Sequence, residues 1–97
     1  MTRPDEKLDE LRERIDELDR TIVRLLNERA QLALEAGRLK AAQGRDGVRD
    51  PEREREVLLR VAIANEGPLP QADLVDVYRR LIDVLVALEE RDQASER

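Results

Sequence analysis

The sequence predicts an all-α chain of three helices, the first of them too long to fold back inside a compact monomer. Three observations predict it. Apolar residues recur in alternating steps of three and four, two clusters of glycine or proline interrupt them, and no alternating strand pattern survives over more than a few residues. A charged fraction of 42% would favour disorder if the apolar residues were scattered, but Leu, Ile and Val stay in register, so the chain is expected to fold.

The first helix is expected over about residues 5–43. Its apolar positions are Leu8, Leu11, Ile15, Leu18, Ile22 and Leu25, then Leu32, Ala36 and Leu39, with Arg29 in the seam position between Leu25 and Leu32. Pro4 suits the first turn, and nothing breaks the pattern before Gln43-Gly44. Roughly forty residues at 1.5 Å each make a rod of about 60 Å. A globule of this chain length is only about 26 Å across, so most of the helix must pack on something outside a compact monomer. Residues 44–49, with Gly44 and Gly47 and few apolar groups, are expected to form a mobile loop whose glycines permit closure over a ligand.

A second helix is expected over about 51–65, with Asp50 as its cap, Pro51 at its first position and acidic side chains near the positive end of its dipole. Its apolar face is Val57, Leu58, Val61 and Ala62, and Gly67-Pro68-Leu69-Pro70 ends it because neither proline can donate a backbone hydrogen bond. The third helix is expected over about 71–93, with Leu74, Val77, Tyr78, Leu81, Ile82, Leu85 and Leu88 on one broad face, and the residues after Glu90 read as a fraying polar tail. Residues 1–97 form a single expected domain without internal repeats.

Composition narrows the chemistry. The absence of Cys, His, Trp and Phe removes disulfides, thiol nucleophiles, imidazole bases and most soft-metal sites, leaving Arg, Lys, Asp, Glu and hydroxyls. With 18 basic against 23 acidic residues the net charge is -5, which argues against a nucleic-acid or anionic-membrane surface. The start, Met1 to Arg12, is charged throughout, and no stretch approaches the roughly 20 apolar residues that span a bilayer, so a cytoplasmic location is expected.

The informative residues are charges that interrupt an apolar stripe, because a buried ion costs several kcal/mol unless a partner compensates it. Arg29 is one; alone it reads equally as a structural salt bridge or a snorkelling stem. Lys40 lies eleven residues on, three turns away on nearly the same face, and alone reads as a solvated helix-end lysine. Glu54 shares the face of Val57 and Leu58, with Arg53 beside it at the edge, and an acidic residue favoured by the dipole is its other reading. Glu89 follows Leu85 by four and Ile82 by seven, which puts a carboxyl on the stripe near its end, where a frayed terminus would explain it as well. An inward Arg, Lys and Glu from three helices would together line a desolvated polar pocket suited to a small anion.

These residues and spacings resemble the all-α chorismate mutase family. The matching text is Leu11-Arg12-Glu13-Arg14-Ile15-Asp16 with Leu18-Asp19, then Leu25-Leu26-Asn27-Glu28-Arg29, then Gly37-Arg38-Leu39-Lys40, then Val48-Arg49-Asp50-Pro51-Glu52-Arg53-Glu54, and the similarity spans roughly residues 8 to 90. The resemblance implies an intertwined homodimeric helical bundle of three-helix chains whose long first helices pair antiparallel. It also implies an isomerase that converts chorismate to prephenate, without a cofactor, in aromatic amino-acid biosynthesis. Arg12 and Arg29 would bind the two substrate carboxylates, and Lys40 would approach the ether oxygen and a carboxylate. Glu54 and the Asp50 backbone would receive the ring hydroxyl, Arg53 would support the carboxylate end, and Glu89 would fall where the family has Gln or Glu at the ether oxygen. Leu85 stands where the family often has a hydroxyl residue, which removes one polar contact to substrate. Arg12 and Arg29 are 17 residues apart, about 25 Å along a straight helix, so Arg12 is expected to act in trans, in two composite sites per dimer.

The reaction suits this inventory, because a Claisen rearrangement breaks a C–O bond and forms a C–C bond within one molecule and needs no base, nucleophile or metal. Catalysis then rests on holding the reactive chair and on donors aimed at the oxygen that gains charge. An ionised Glu89 would repel that charge, so it is expected to act protonated; desolvation favours the proton, and Lys40 and Arg29 oppose it. Three other readings share the fold: a regulatory domain that senses chorismate or prephenate for a DAHP synthase partner, an isochorismate-pyruvate lyase, and a structural helical dimerisation module.

Overall fold

The steps of three and four become three α-helices in the computed structural model of the chain, which describes residues 3–45 and 47–95. They are α1 (Pro4–Ala42), α2 (Pro51–Ala64) and α3 (Gln71–Ser95), and no strand forms among the described residues. The bounds lie close to those expected. Asp46 of the expected loop and the ends of the expected domain, residues 1–2 and 96–97, lie outside the described residues. The chain divides into two units, residues 1–32 and residues 33–97.

The first unit is the N-terminal stretch of α1. Its stripe faces outward: Leu8, Leu11, Ile15, Leu18, Ile22 and Leu25 are each between 46% and 61% exposed. Single exposed leucines are ordinary, but a whole heptad seam left uncovered is not. On its polar side Arg24 and Glu28 pair at 3.0 Å across one turn, a solvated contact of little weight.

The second unit begins in the last turns of α1, which close in a Schellman motif: the Gly44 N–H donates to Ala41 O at 3.0 Å and the Arg45 N–H to Lys40 O at 3.1 Å. Gly44 takes φ +74°, a conformation that a side chain disfavours. Gly44→Ala is therefore expected to cost about 1 kcal/mol, read as a lower midpoint in urea unfolding with an unchanged slope. Asp50, extended at φ −129° and ψ 93°, caps α2 by accepting the Arg53 N–H at 3.1 Å. The α2–α3 turn is organised by Asn65, whose Nδ2 donates to Leu69 O at 2.9 Å while its Oδ1 accepts the Gly67 N–H at 3.0 Å.

Helices α2 and α3 pack on each other. Val57, Leu58, Val61 and Ala62 are half-buried against a stripe of Leu74, Tyr78, Leu81 and Leu88, at the centre of which Ile82 and Leu85 are 8% and 6% exposed. Val77, expected on this face, is 63% exposed instead; it lies about 80° around the helix from Leu85, at the edge of the stripe. The expected fraying tail is helical to Ser95, because Asp92 continues the stripe and finds a partner there.

Candidate active site

Three consecutive residues at the entry to α2 organise the polar groups of the second unit. Val48 O accepts a hydrogen bond from Lys40 Nζ at 3.4 Å, which holds this half-buried ammonium over the connection instead of leaving it in solvent. Arg49 donates from Nη1 to Glu54 Oε1 at 2.6 Å and from Nη2 to Asp83 Oδ1 at 2.6 Å, so one planar fork joins α2 to α3. The guanidinium holds its proton more tightly than an ordinary arginine, first through the Asp83 hydrogen bond and then through the charge of Glu54. Asp50 spends its side chain on the helix cap and on Arg45 at 3.8 Å, and its carbonyl accepts the Glu54 N–H at 2.9 Å, the first hydrogen bond of α2.

The end of α3 lies on the last turns of α1 at Gly37, the buried residue of that helix. A Cβ at Gly37 would stand 3.4 Å from Glu89 Oε2 and 3.5 Å from Gln93 Nε2. These are ordinary van der Waals distances, and they place the Glu89 carboxyl over Gly37, one turn before Lys40. Arg38 fastens the approach with two bonds to Asp92, 3.0 Å from Nε to Oδ2 and 2.8 Å from Nη2 to Oδ1.

That hydrogen bond holds the Asp92 carboxyl below its usual value of 3.8. A carboxylate with a depressed folded-state pKa contributes stability that is present above the unfolded value and lost as pH falls through the folded one. Asp92→Asn is accordingly expected to lower the melting temperature at pH 7 and to melt together with the parent once the pH has dropped through that lowered value, as followed by circular dichroism.

Lys40, Asp50, Glu54, Leu85 and Glu89 all belong to the second unit. Leu85 sits in the core. Arg53 turns outward, where its Nη1 donates to Glu56 Oε2 at 3.2 Å on an exposed surface. Arg12 and Arg29 belong to the first unit, Arg12 exposed and Arg29 half-buried. A groove of about 310 Å³ between α2 and α3 is lined by Arg49, Glu54, Arg55, Leu58, Ile82 and Asp83 among others, and takes only Glu54 from the expected set. Among the described residues no group of three His, Cys, Asp or Glu could hold a metal ion, and no helix is long and apolar enough to cross a membrane.

The sequence pattern of a family described as chorismate mutase type II matches residues 11–90. A chorismate mutase of Methanocaldococcus jannaschii is 32% identical over 87 residues, covering 89% of this chain and 87% of that protein. The chain belongs to the type II chorismate mutase family. The chorismate mutase of Thermus thermophilus, in its form II structure, superposes with a TM-score of 0.83 at 35% identity, over 88% of this chain and 96% of that one. A bifunctional chorismate mutase/prephenate dehydratase of Aquifex aeolicus is 41% identical over 90 residues, 89% of this chain. The chain spans about a quarter of the length of that bifunctional relative, 25%. The expected three-helix chorismate mutase fold is thus borne out.

Within this chorismate mutase fold, sequence reasoning passed over Arg49, Asp83 and Gly37. Arg49 and Gly37 stand inside the matching text, but nothing in their spacing marks a fork or a close approach. Asp83 follows Ile82 on α3 and is 50% exposed, so helical periodicity files it with the solvated charges.

Proposed function

We propose that the chain catalyses the Claisen rearrangement of chorismate to prephenate, with Lys40 and Glu89 as the groups at the ether oxygen and Arg29 at a substrate carboxylate. The observation that supports this reading is a half-buried Lys40 in the last turn of α1 with the Glu89 carboxyl of α3 beside Gly37, one turn earlier, in a chain of this family. Lys40 is a compact cationic donor suited to the oxygen that gains negative charge, and the arginines match carboxylates with two parallel hydrogen bonds. Glu54 and the Asp50 backbone receive the ring hydroxyl, and Arg53 supports the carboxylate end when its guanidinium leaves Glu56.

The working unit is a homodimer in which Arg12 of the partner subunit completes each site. The uncovered seam from Leu8 to Leu25 supports this, since each leucine that passes from half-exposed to buried adds about 1 kcal/mol. The deciding experiment offers chorismate to the purified protein and follows loss of its diene absorbance with prephenate as product; intact chorismate after prolonged incubation rejects the activity, and released pyruvate would assign a lyase instead.

Glu89 acts with its proton on, donating to the ether oxygen. Activity is therefore expected to fall as pH rises, and Glu89→Gln, which donates at every pH, is expected to flatten the kcat profile. An unchanged profile in that variant removes Glu89 from the chemistry.

A second reading keeps the site and adds a larger assembly. The Aquifex relative is named for a mutase and a prephenate dehydratase, so the product here would pass to such a dehydratase; a DAHP synthase controlled by the bound ligand is the other candidate partner. Pull-down from a lysate with tagged protein, probed for each enzyme, separates them.

A further inference from the structure

The polar groups assigned to substrate leave one strong interaction unexplained. Arg49 makes two short hydrogen bonds, both at 2.6 Å, and its partners lie on different helices. One of them is the Glu54 carboxyl, whose side chain is only 21% exposed although it stands in the first turn of α2. Arg49 grips Glu54 at Oε1, and a carboxylate gripped at one oxygen presents the other in a fixed direction. A Glu with free χ angles would lose rotamer entropy on meeting a ligand hydroxyl; one already held does not. Arg49 would itself swing on a long flexible stem if Glu54 were its sole partner. Asp83 removes that freedom by occupying the second nitrogen of the same plane.

We infer that Arg49 is a positioning residue which aims the Glu54 carboxylate at the ring hydroxyl of the substrate, with Asp83 on α3 as its anchor. The assignment rests on the chorismate reading and deepens it at one subsite. The hydroxyl takes no part in the bonds that break and form, so its contact is made about equally in the ground and transition states, and misaiming Glu54 raises KM more than it lowers kcat. Arg49→Lys puts a point charge in place of the fork and cannot hold both carboxylates in one plane.

The test is a double-mutant cycle in the full chain with chorismate, using Arg49→Gln, Asp83→Asn and both together, with Arg49→Lys as the milder variant. Arg49→Gln is expected to raise KM about tenfold and to change kcat little, Asp83→Asn to raise KM less, and the double variant to be no worse than Arg49→Gln. With a chorismate analogue lacking the ring hydroxyl, wild type and Arg49→Gln are expected to show the same KM. Additive losses in the double variant, an unchanged KM in Asp83→Asn, or an equal defect with the hydroxyl-free analogue would overturn the assignment. If wild type leaves chorismate untouched, the activity reading fails on its own, and side-chain NMR of Arg49 judges the fork: separate guanidinium N–H signals that merge in Asp83→Asn support it, and signals already merged in wild type overturn it.

Discussion

Lys40→Ala is expected to lower kcat by about 10² to 10³-fold, the loss seen when one donor to a developing oxyanion is removed. The ammonium does little for the fold that a methyl would undo, since its hydrogen bond to Val48 O is long at 3.4 Å. Its place in the last turn of α1 adds the modest favourable term of a cation at a helix C-terminus. Circular dichroism and sedimentation of the variant should therefore match the parent while loss of diene absorbance nearly stops. Arg29→Ala is expected to behave alike, with KM and kcat both affected because a carboxylate clamp fixes the reactive chair as well as binding it. Normal turnover in either variant would remove the cation it lacks from the site.

Mixing two dead proteins should revive activity. Arg12→Ala and Lys40→Ala are each expected to be inactive as homodimers, yet in a dimer of one with the other, one site keeps both residues from its two chains. Random re-pairing after unfolding and refolding together would restore about a quarter of parental activity, because half the dimers are mixed and each mixed dimer has one intact site. The 17 helical residues from Arg12 to Arg29 are too long a span for one small substrate to bridge within a single chain. No recovery on mixing, with re-paired dimers verified by mass, would place Arg12 outside the site.

Much of the fold was legible because it depends on one-dimensional signals. Pro51 after Asp50 and the Gly67 to Pro70 break set the limits of α2, and the seam from Leu8 announced a helix whose apolar face the chain alone does not cover. Val77 and the end of α3 were misjudged for a common reason: the stripe's width and length are decided by what packs on it, and Arg38, the partner of Asp92, is more than fifty residues away in sequence. The partial burial of Lys40 and Glu89 was legible because each charge broke an apolar pattern. A pairing between two charged residues that each look solvated, as with Arg49 and Asp83, left no such mark in the sequence. Arg53 shows the reverse, a motif residue whose guanidinium rests on its helical neighbour Glu56.

Val48, Arg49 and Asp50 each hold something different, an ammonium by a carbonyl, a carboxylate by a guanidinium, a helix end by a cap, and they do so without a spacer between them. A change of loop length before Val48 consequently costs only a small increment of closure entropy, but a single residue gained or lost inside the triplet would shift all three grips out of step at once. Relatives and engineered derivatives with longer or shorter interhelical links should carry their insertions and deletions upstream of that boundary.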